Sequence, residues 1–120
     1  DHGEADYEAR RLVDARVEAE RILLATRKSI EEDPDLLTDR ERAAIEQSMD
    51  ALVSAMKKAT SAGTIQAHSE ALADATHEFA GRRMDRAMAR AIAGRAVQEV
   101  ERRVEHAAGI EAHLAEKGAG

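Results

Sequence analysis

The stretch Asp33-Pro34-Asp35-Leu36-Leu37-Thr38-Asp39-Arg40-Glu41-Arg42 decides how this 120-residue chain is organised. Pro34 is the single proline, and it disfavours helical geometry at Asp33, so a helix arriving from the N-terminal side ends there. Thr38, followed three residues later by Glu41, reads as a capping box: the hydroxyl accepts from the Glu41 backbone N–H, and the carboxylate reaches back to the Thr38 N–H. Leu37, just before the cap, is placed to pack on its neighbours. Ile45, Met49, Leu52, Met56 and Ala59 then recur at three- and four-residue steps, one face of a second helix over about residues 39–60.

The same period extends in both directions. Upstream it predicts a first helix over about residues 4–32, with Glu4, Asp6 and Glu8 at its electropositive start. Leu12, Ala19, Leu23 and Ile30, with Arg16 and Thr26 between them, form one stripe, and Val13, Val17 and Leu24 form a second beside it. Two stripes predict contact with more than one neighbour. In the first half of this helix Tyr7, Leu12, Val13 and Val17 have few sequence-local partners. An isolated chain is therefore expected to self-associate or fray before about Glu20.

Downstream, Ser61-Ala62-Gly63-Thr64 reads as a glycine C-cap followed by a fresh N-cap. A third helix is expected over about residues 65–93, with Ile65, Leu72, Ala75 or Thr76, and Phe79 on its core face. There the pattern shifts phase to Ala80, Met84, Ala87 or Met88, and Ala91, with Gly81 at the shift. Gly94 reads as a stop or kink, with Val97, Val100, Val104, Ala107 or Ala108, and Leu114 marking a fourth helix over about residues 96–116 and Gly118 to Gly120 fraying. Short connections make consecutive helices antiparallel. The expected fold is all-α and one domain, residues 1–120: an antiparallel three-helix bundle with a long protruding first helix and an additional C-terminal helix.

Composition narrows the class further. Of 52 apolar residues 26 are alanine, and only Tyr7 and Phe79 are aromatic, so stability leans on helical hydrogen bonding and close helix approach. No run nears the roughly 18 apolar residues of a membrane span, and the acidic start Asp1 to Asp6 does not read as a leader. Zero cysteines exclude disulfides and thiolate metal sites, and a cytoplasmic location is expected. A net charge of −6 argues against general binding to nucleic acid or to an anionic membrane.

Residues that could carry chemistry are sparse. Ser29, Ser48, Ser54, Ser61 and Ser69 stand in no nucleophile motif, and no glycine-rich phosphate loop occurs, so the chain is read as non-enzymatic. His106 and His113 are two helical turns apart, about 10 Å along the axis, and His2, His68 and His77 fit no better. No metal or other cofactor is expected. The sharpest local feature is basic: Arg82, Arg83, Arg86, Arg90 and Arg95 against Asp85 alone. Arg82, Arg86 and Arg90 recur every fourth residue as a ridge, expected to face water or to pair with Glu99, Glu101 and Glu105.

Glu78-Phe79-Ala80-Gly81-Arg82-Arg83-Met84-Asp85, running on to Ala91-Ile92-Ala93-Gly94 and Val97-Gln98-Glu99-Val100, resembles the C-terminal end of HscA. HscA chaperones are the DnaK-type, seventy-kilodalton heat-shock family of iron-sulfur cluster assembly. Val17-Glu18-Ala19, Arg21, Leu23, Asp33 to Leu37, Thr38 and Glu41-Arg42 look like the same family's long lid helix and the turn after it, and Thr26-Arg27-Lys28 with Glu31-Glu32 is similar to the wider DnaK lid. The resemblance covers roughly residues 4–100. It implies a helical lid that closes over a β-sandwich gripping an extended client peptide and slows its release, while an absent domain hydrolyses ATP. It also implies partners: the chaperone's own β-sandwich, a client polypeptide that in HscA is the iron-sulfur scaffold protein, and a J-domain co-chaperone. In the DnaK lid an Asp, with a His one turn later, latches onto the sandwich; here Glu20 stands at the Asp position and Leu24 at the His position. The resemblance makes Leu12, Arg16, Glu20 and Leu24 candidate lid-to-sandwich contacts. A different reading of the same residues is a free-standing interaction module acting through the fourth helix or the ridge of Arg82, Arg86 and Arg90.

Overall fold

A computed structural model describes the backbone of residues 2–119 and the side chains of residues 3–110. Helix α1 spans His2–Glu32, a 3-10 turn spans Pro34–Leu36, helix α2 spans Asp39–Lys58 and helix α3 spans Ala62–Ala119. The fold is all-α.

The turn after α1 forms as its residues dictate. Asp33 donates its backbone N–H to the Ser29 carbonyl, and Leu36 and Leu37 donate to Asp33 and Pro34. Thr38 caps α2 with both halves of the capping box in place, each 3.1 Å long. At the other end of α2 the chain turns extended at Ala59, and Ser61, not Gly63, organises the next start: its hydroxyl accepts from the Thr64 N–H at 3.3 Å and meets the Thr64 hydroxyl at 2.9 Å. Gly63 lies inside the first turn of α3, and no described glycine adopts positive φ, so the expected glycine C-cap is replaced by a serine N-cap.

The largest departure concerns the third and fourth helices. They are one helix, Ala62–Ala119, and Gly94 does not stop it. A glycine in a helix interior costs about 1 kcal/mol relative to alanine, too little to end a helix flanked by Ala91, Ile92, Ala93 and Ala96 when no left-handed cap and no proline come after it.

By contact density the chain divides into two units, Asp1–Arg83 and Met84–Gly120. In the first, side chains of all three helices meet in one core: Ala15, Ala19 and Leu23 from α1, Ile45, Met49 and Leu52 from α2, and Ala62, Ile65, Leu72 and Phe79 from α3, with Leu37 sealing the turn. Ile45, Leu52, Ile65 and Leu72 are the largest side chains wholly removed from water. Thr76 is half-buried and Ala75 exposed, which resolves that pair in favour of Thr76. In the second unit every described large apolar side chain is exposed, and Glu99 pairs along its own helix with Arg102 at 3.1 Å and Arg103 at 3.4 Å. Leu114, Gly118 and Gly120 lie outside the described residues or side chains.

Candidate interaction surface on the first helix

At about 100° per residue, α1 presents two opposed apolar faces. Ala15, Ala19, Leu23 and Thr26 lie on one and are buried. Val13, Val17 and Leu24 lie within about 40° of one another on the other, and they are 57%, 60% and 63% exposed. Tyr7, 62% exposed, lies about 100° around the helix from that strip, with the Arg11 guanidinium 5.9 Å from its ring centroid.

The four candidate contacts divide between these faces. Leu12 is half-buried against the core. Arg16 turns inward as well: its Nε donates to the Met56 carbonyl at 3.1 Å and its Nη2 to the Ala59 carbonyl at 3.4 Å, so the guanidinium satisfies backbone acceptors that α2 leaves open at its C-terminal end. Glu20 and Leu24 remain outward. Beside them Arg21 donates to both Glu18 oxygens, at 3.1 and 2.6 Å. That hydrogen bond holds the Glu18 carboxyl below its usual range and raises Arg21, so both stay charged at the edge of the apolar strip.

The basic ridge is not a free row of guanidinium groups. Arg82 donates to the Leu36 carbonyl at 3.0 Å and pairs with Glu41 at 2.8 Å and Glu78 at 3.5 Å, tying α3 to the start of α2. Its neighbour Arg83 is the stronger node. It bonds Asp33 at 2.8 Å, the Ser29 hydroxyl at 2.9 Å and Glu32 at 2.6 Å, and lies 6.0 Å over the Phe79 ring. Arg86 is half-buried and also engaged, and Arg90 is exposed. Sequence reasoning missed Arg83 because its partners lie 50 to 54 residues away. The available signal was the acidic pair Glu32-Asp33 at a helix end, which needs a cation from elsewhere.

The serines serve the backbone: Ser29 back-bonds to Ala25 and Ser61 caps α3. Ser69 is buried, with no partner for its hydroxyl among the described residues. No group of three metal-ligating side chains and no helix long and apolar enough to cross a membrane occurs among the described residues. His68 is half-buried, His77 and His106 are exposed, and the side chains of His2 and His113 lie outside the described set.

No family model matches the chain. Among curated proteins it is 50% identical over 93 residues to the chaperone protein HscA homolog of Verminephrobacter eiseniae, covering 78% of this chain and 15% of the relative. The HscA homolog of Methylibium petroleiphilum is 47% identical over 97 residues, covering 81% and 16%. That of Variovorax paradoxus is 45% identical over 95 residues, covering 79% and 15%. The chain is homologous to the C-terminal part of HscA chaperones. It spans about 15% of the length of the HscA relatives it matches, so their remaining domains lie outside the match.

Proposed function

We propose that this chain is the helical lid of an HscA-like chaperone's substrate-binding domain and that it slows release of a bound client peptide. The observation that carries the reading is the second apolar face of α1. Val13, Val17 and Leu24 stand in water while the opposite face of the same helix is fully packed, as expected of a helix whose outer face rests on a neighbouring domain. Homology to the C-terminal part of HscA supports the chaperone's β-sandwich as that neighbour. Glu20 and Leu24 are the contacts on that face, Leu24 supplying apolar burial at the position of the DnaK-type imidazole. Leu12 and Arg16, turned inward, support the helix from behind.

In this reading the lid binds no nucleotide and catalyses nothing. ATP hydrolysis belongs to the nucleotide-binding domain of the intact chaperone, which acts in the cytoplasm with a J-domain co-chaperone on the iron-sulfur scaffold protein. The free-standing module reading is weakened where it relied on Arg82, whose guanidinium is spent within the bundle.

The test joins this chain to its β-sandwich and tracks dissociation of a fluorescent client peptide. Removing residues 1–120 is expected to speed dissociation, and Val17→Asp with Leu24→Asp to reproduce most of that gain while the helical spectrum stays unchanged. Equal off-rates with and without the chain would sink the proposal.

A further inference from the structure

Between α1 and α3 the first unit leaves a trough made of two adjoining hollows, both bordered by Ile22 and Ala73. The first, about 430 Å³, has Ala15, Ile22 and Ala73 as apolar walls, Ser69 at its floor, and the Glu18 and Glu70 side chains at its edges. That volume falls in the range of ligand sites, about 300–1,000 Å³. The second, about 230 Å³, is apolar for most of its length, with Ala25 and Ala80 at its sides and Phe79 beneath.

Ser69 is 8% exposed, and its hydroxyl oxygen is covered and has no hydrogen-bond partner among the described residues. The other hydroxyls bordering the trough turn back onto their own helices: Thr26 donates to the Ile22 carbonyl, Ser29 to Ala25 and Thr76 to Leu72. A hydrogen bond left unmade at a covered group costs the full desolvation of that group. Among the described residues the Ser69 side chain alone carries that cost. Two carboxylates border the same hollow from opposite helices. Glu18 is held by Arg21, at 2.6 and 3.1 Å, and Glu70 has no ion pair among the described residues.

We propose that the first hollow takes a lysine side chain presented by a partner polypeptide, and that a nearby apolar residue of the same segment fills the second. An ammonium is a compact charge with three donors, and the hollow offers three acceptors: Glu18, Glu70 and the Ser69 hydroxyl, the last on turning from its covered rotamer. The aliphatic stem lies on Ala15, Ile22 and Ala73. Charge selects this occupant. An apolar trough alone would accept any apolar side chain, whereas two carboxylates beside an unpaired hydroxyl repel an acidic segment and leave a neutral one with polar groups unmatched. Ser69 and Thr76, one in each hollow, are two turns apart, about 10 Å along α3, which sets the spacing between the lysine and the apolar residue. Val17 and Ile22 are five residues and hence about 140° apart around α1, so the partner can bind while the outer face of α1 is covered. The proposal therefore stands whether or not that face meets a β-sandwich. With Glu18 already engaged and the trough open to water, the contact is weak and salt-sensitive.

The test titrates the capped peptide acetyl-Lys-Ala-Ala-Leu-amide, whose extended form spaces lysine and leucine about 10 Å apart, into the isotope-labelled 120-residue chain and follows its amides by NMR. Saturable shifts are expected at residues 15–26 and 66–76, and none at residues 45–52 of α2. The norleucine counterpart keeps the stem and loses the charge, and should bind about fivefold more weakly; Glu70→Gln should weaken the lysine peptide by about two- to fivefold. Glu46→Gln, which removes an exposed carboxylate of α2, should leave binding unchanged. Ser69→Ala separates a binding hydroxyl from a structural one. It should weaken the peptide and yet raise the urea midpoint of the free chain, because a covered, unpaired group has been removed. Equal binding of the two peptides would leave an apolar trough without a cation site, and a lower midpoint for Ser69→Ala would mean that the hydroxyl is paired in the free protein. Either result, or no saturable shift up to the solubility limit of the lysine peptide, would overturn the proposal.

Discussion

Arg83 concentrates more of the tertiary specificity than any other single side chain described. Its fork joins Asp33, Glu32 and the Ser29 hydroxyl across the end of α1, and Asp33 is 8% exposed, so removing the guanidinium takes a charged partner from a nearly buried carboxylate. Arg83→Ala is expected to destabilise the fold by about 2 kcal/mol, read as a lower urea midpoint at constant slope, and Arg83→Lys to recover only part because an ammonium cannot serve the fork. Glu41 makes a milder, pH-dependent contribution. The Thr38 backbone N–H first, and the Arg82 guanidinium second, hold its carboxyl below the ordinary value. A depressed folded value stabilises above the ordinary carboxylate range and is lost as pH falls through the folded value. The stability of Glu41→Gln should therefore fall less between pH 5 and about pH 3 than that of the parent, and parallel curves would refute the assignment. The capping box was legible in the sequence because its two partners are three residues apart. The Arg83 node was not, because nothing local connects residue 83 to residue 33.

The two faces of α1 separate stability from function within one element. Leu23 is 3% exposed in the shared core and Val17 is 60% exposed. Leu23→Ala should cost about 3 kcal/mol by lost burial and the cavity left behind, whereas Val17→Ala should stay within about 0.5 kcal/mol. A large loss at Val17 in chemical denaturation would mean that this face packs internally and would remove the surface proposed for the β-sandwich. Both stripes of α1 could be read from periodicity, but the sequence reading set them side by side, whereas Val13, Val17 and Leu24 lie about 145° around the helix from the buried Ala15, Ala19, Leu23 and Thr26. Which stripe faced the bundle required the other helices. The failure at Gly94 is of the opposite kind: glycine weakens a helix locally by about 1 kcal/mol, and whether that ends the helix depends on the next few residues. Arg95 and Ala96 come next, both good helix formers, with no cap beyond them, and the helix runs on.

Across the whole molecule, core and exposed helix are segregated along the chain. Among the described residues every buried core side chain lies between Ala15 and Phe79, and residues 84–110 keep their large apolar side chains in water. An isolated helix without a packed face is marginal in water, whereas the first unit buries side chains from three helices together. A chain ending after Arg90 keeps Arg82, Arg83 and the turn that carries them, and should retain the cooperative unfolding transition of the first unit with its urea midpoint changed little. The corresponding amides should also differ in the full chain. Those of residues 65–79 should exchange hydrogen only through global opening, and those of residues 95–110 orders of magnitude faster in dilute solution. Equal protection of both groups would show that the distal helix belongs to the cooperative core, and the segregation would then be wrong.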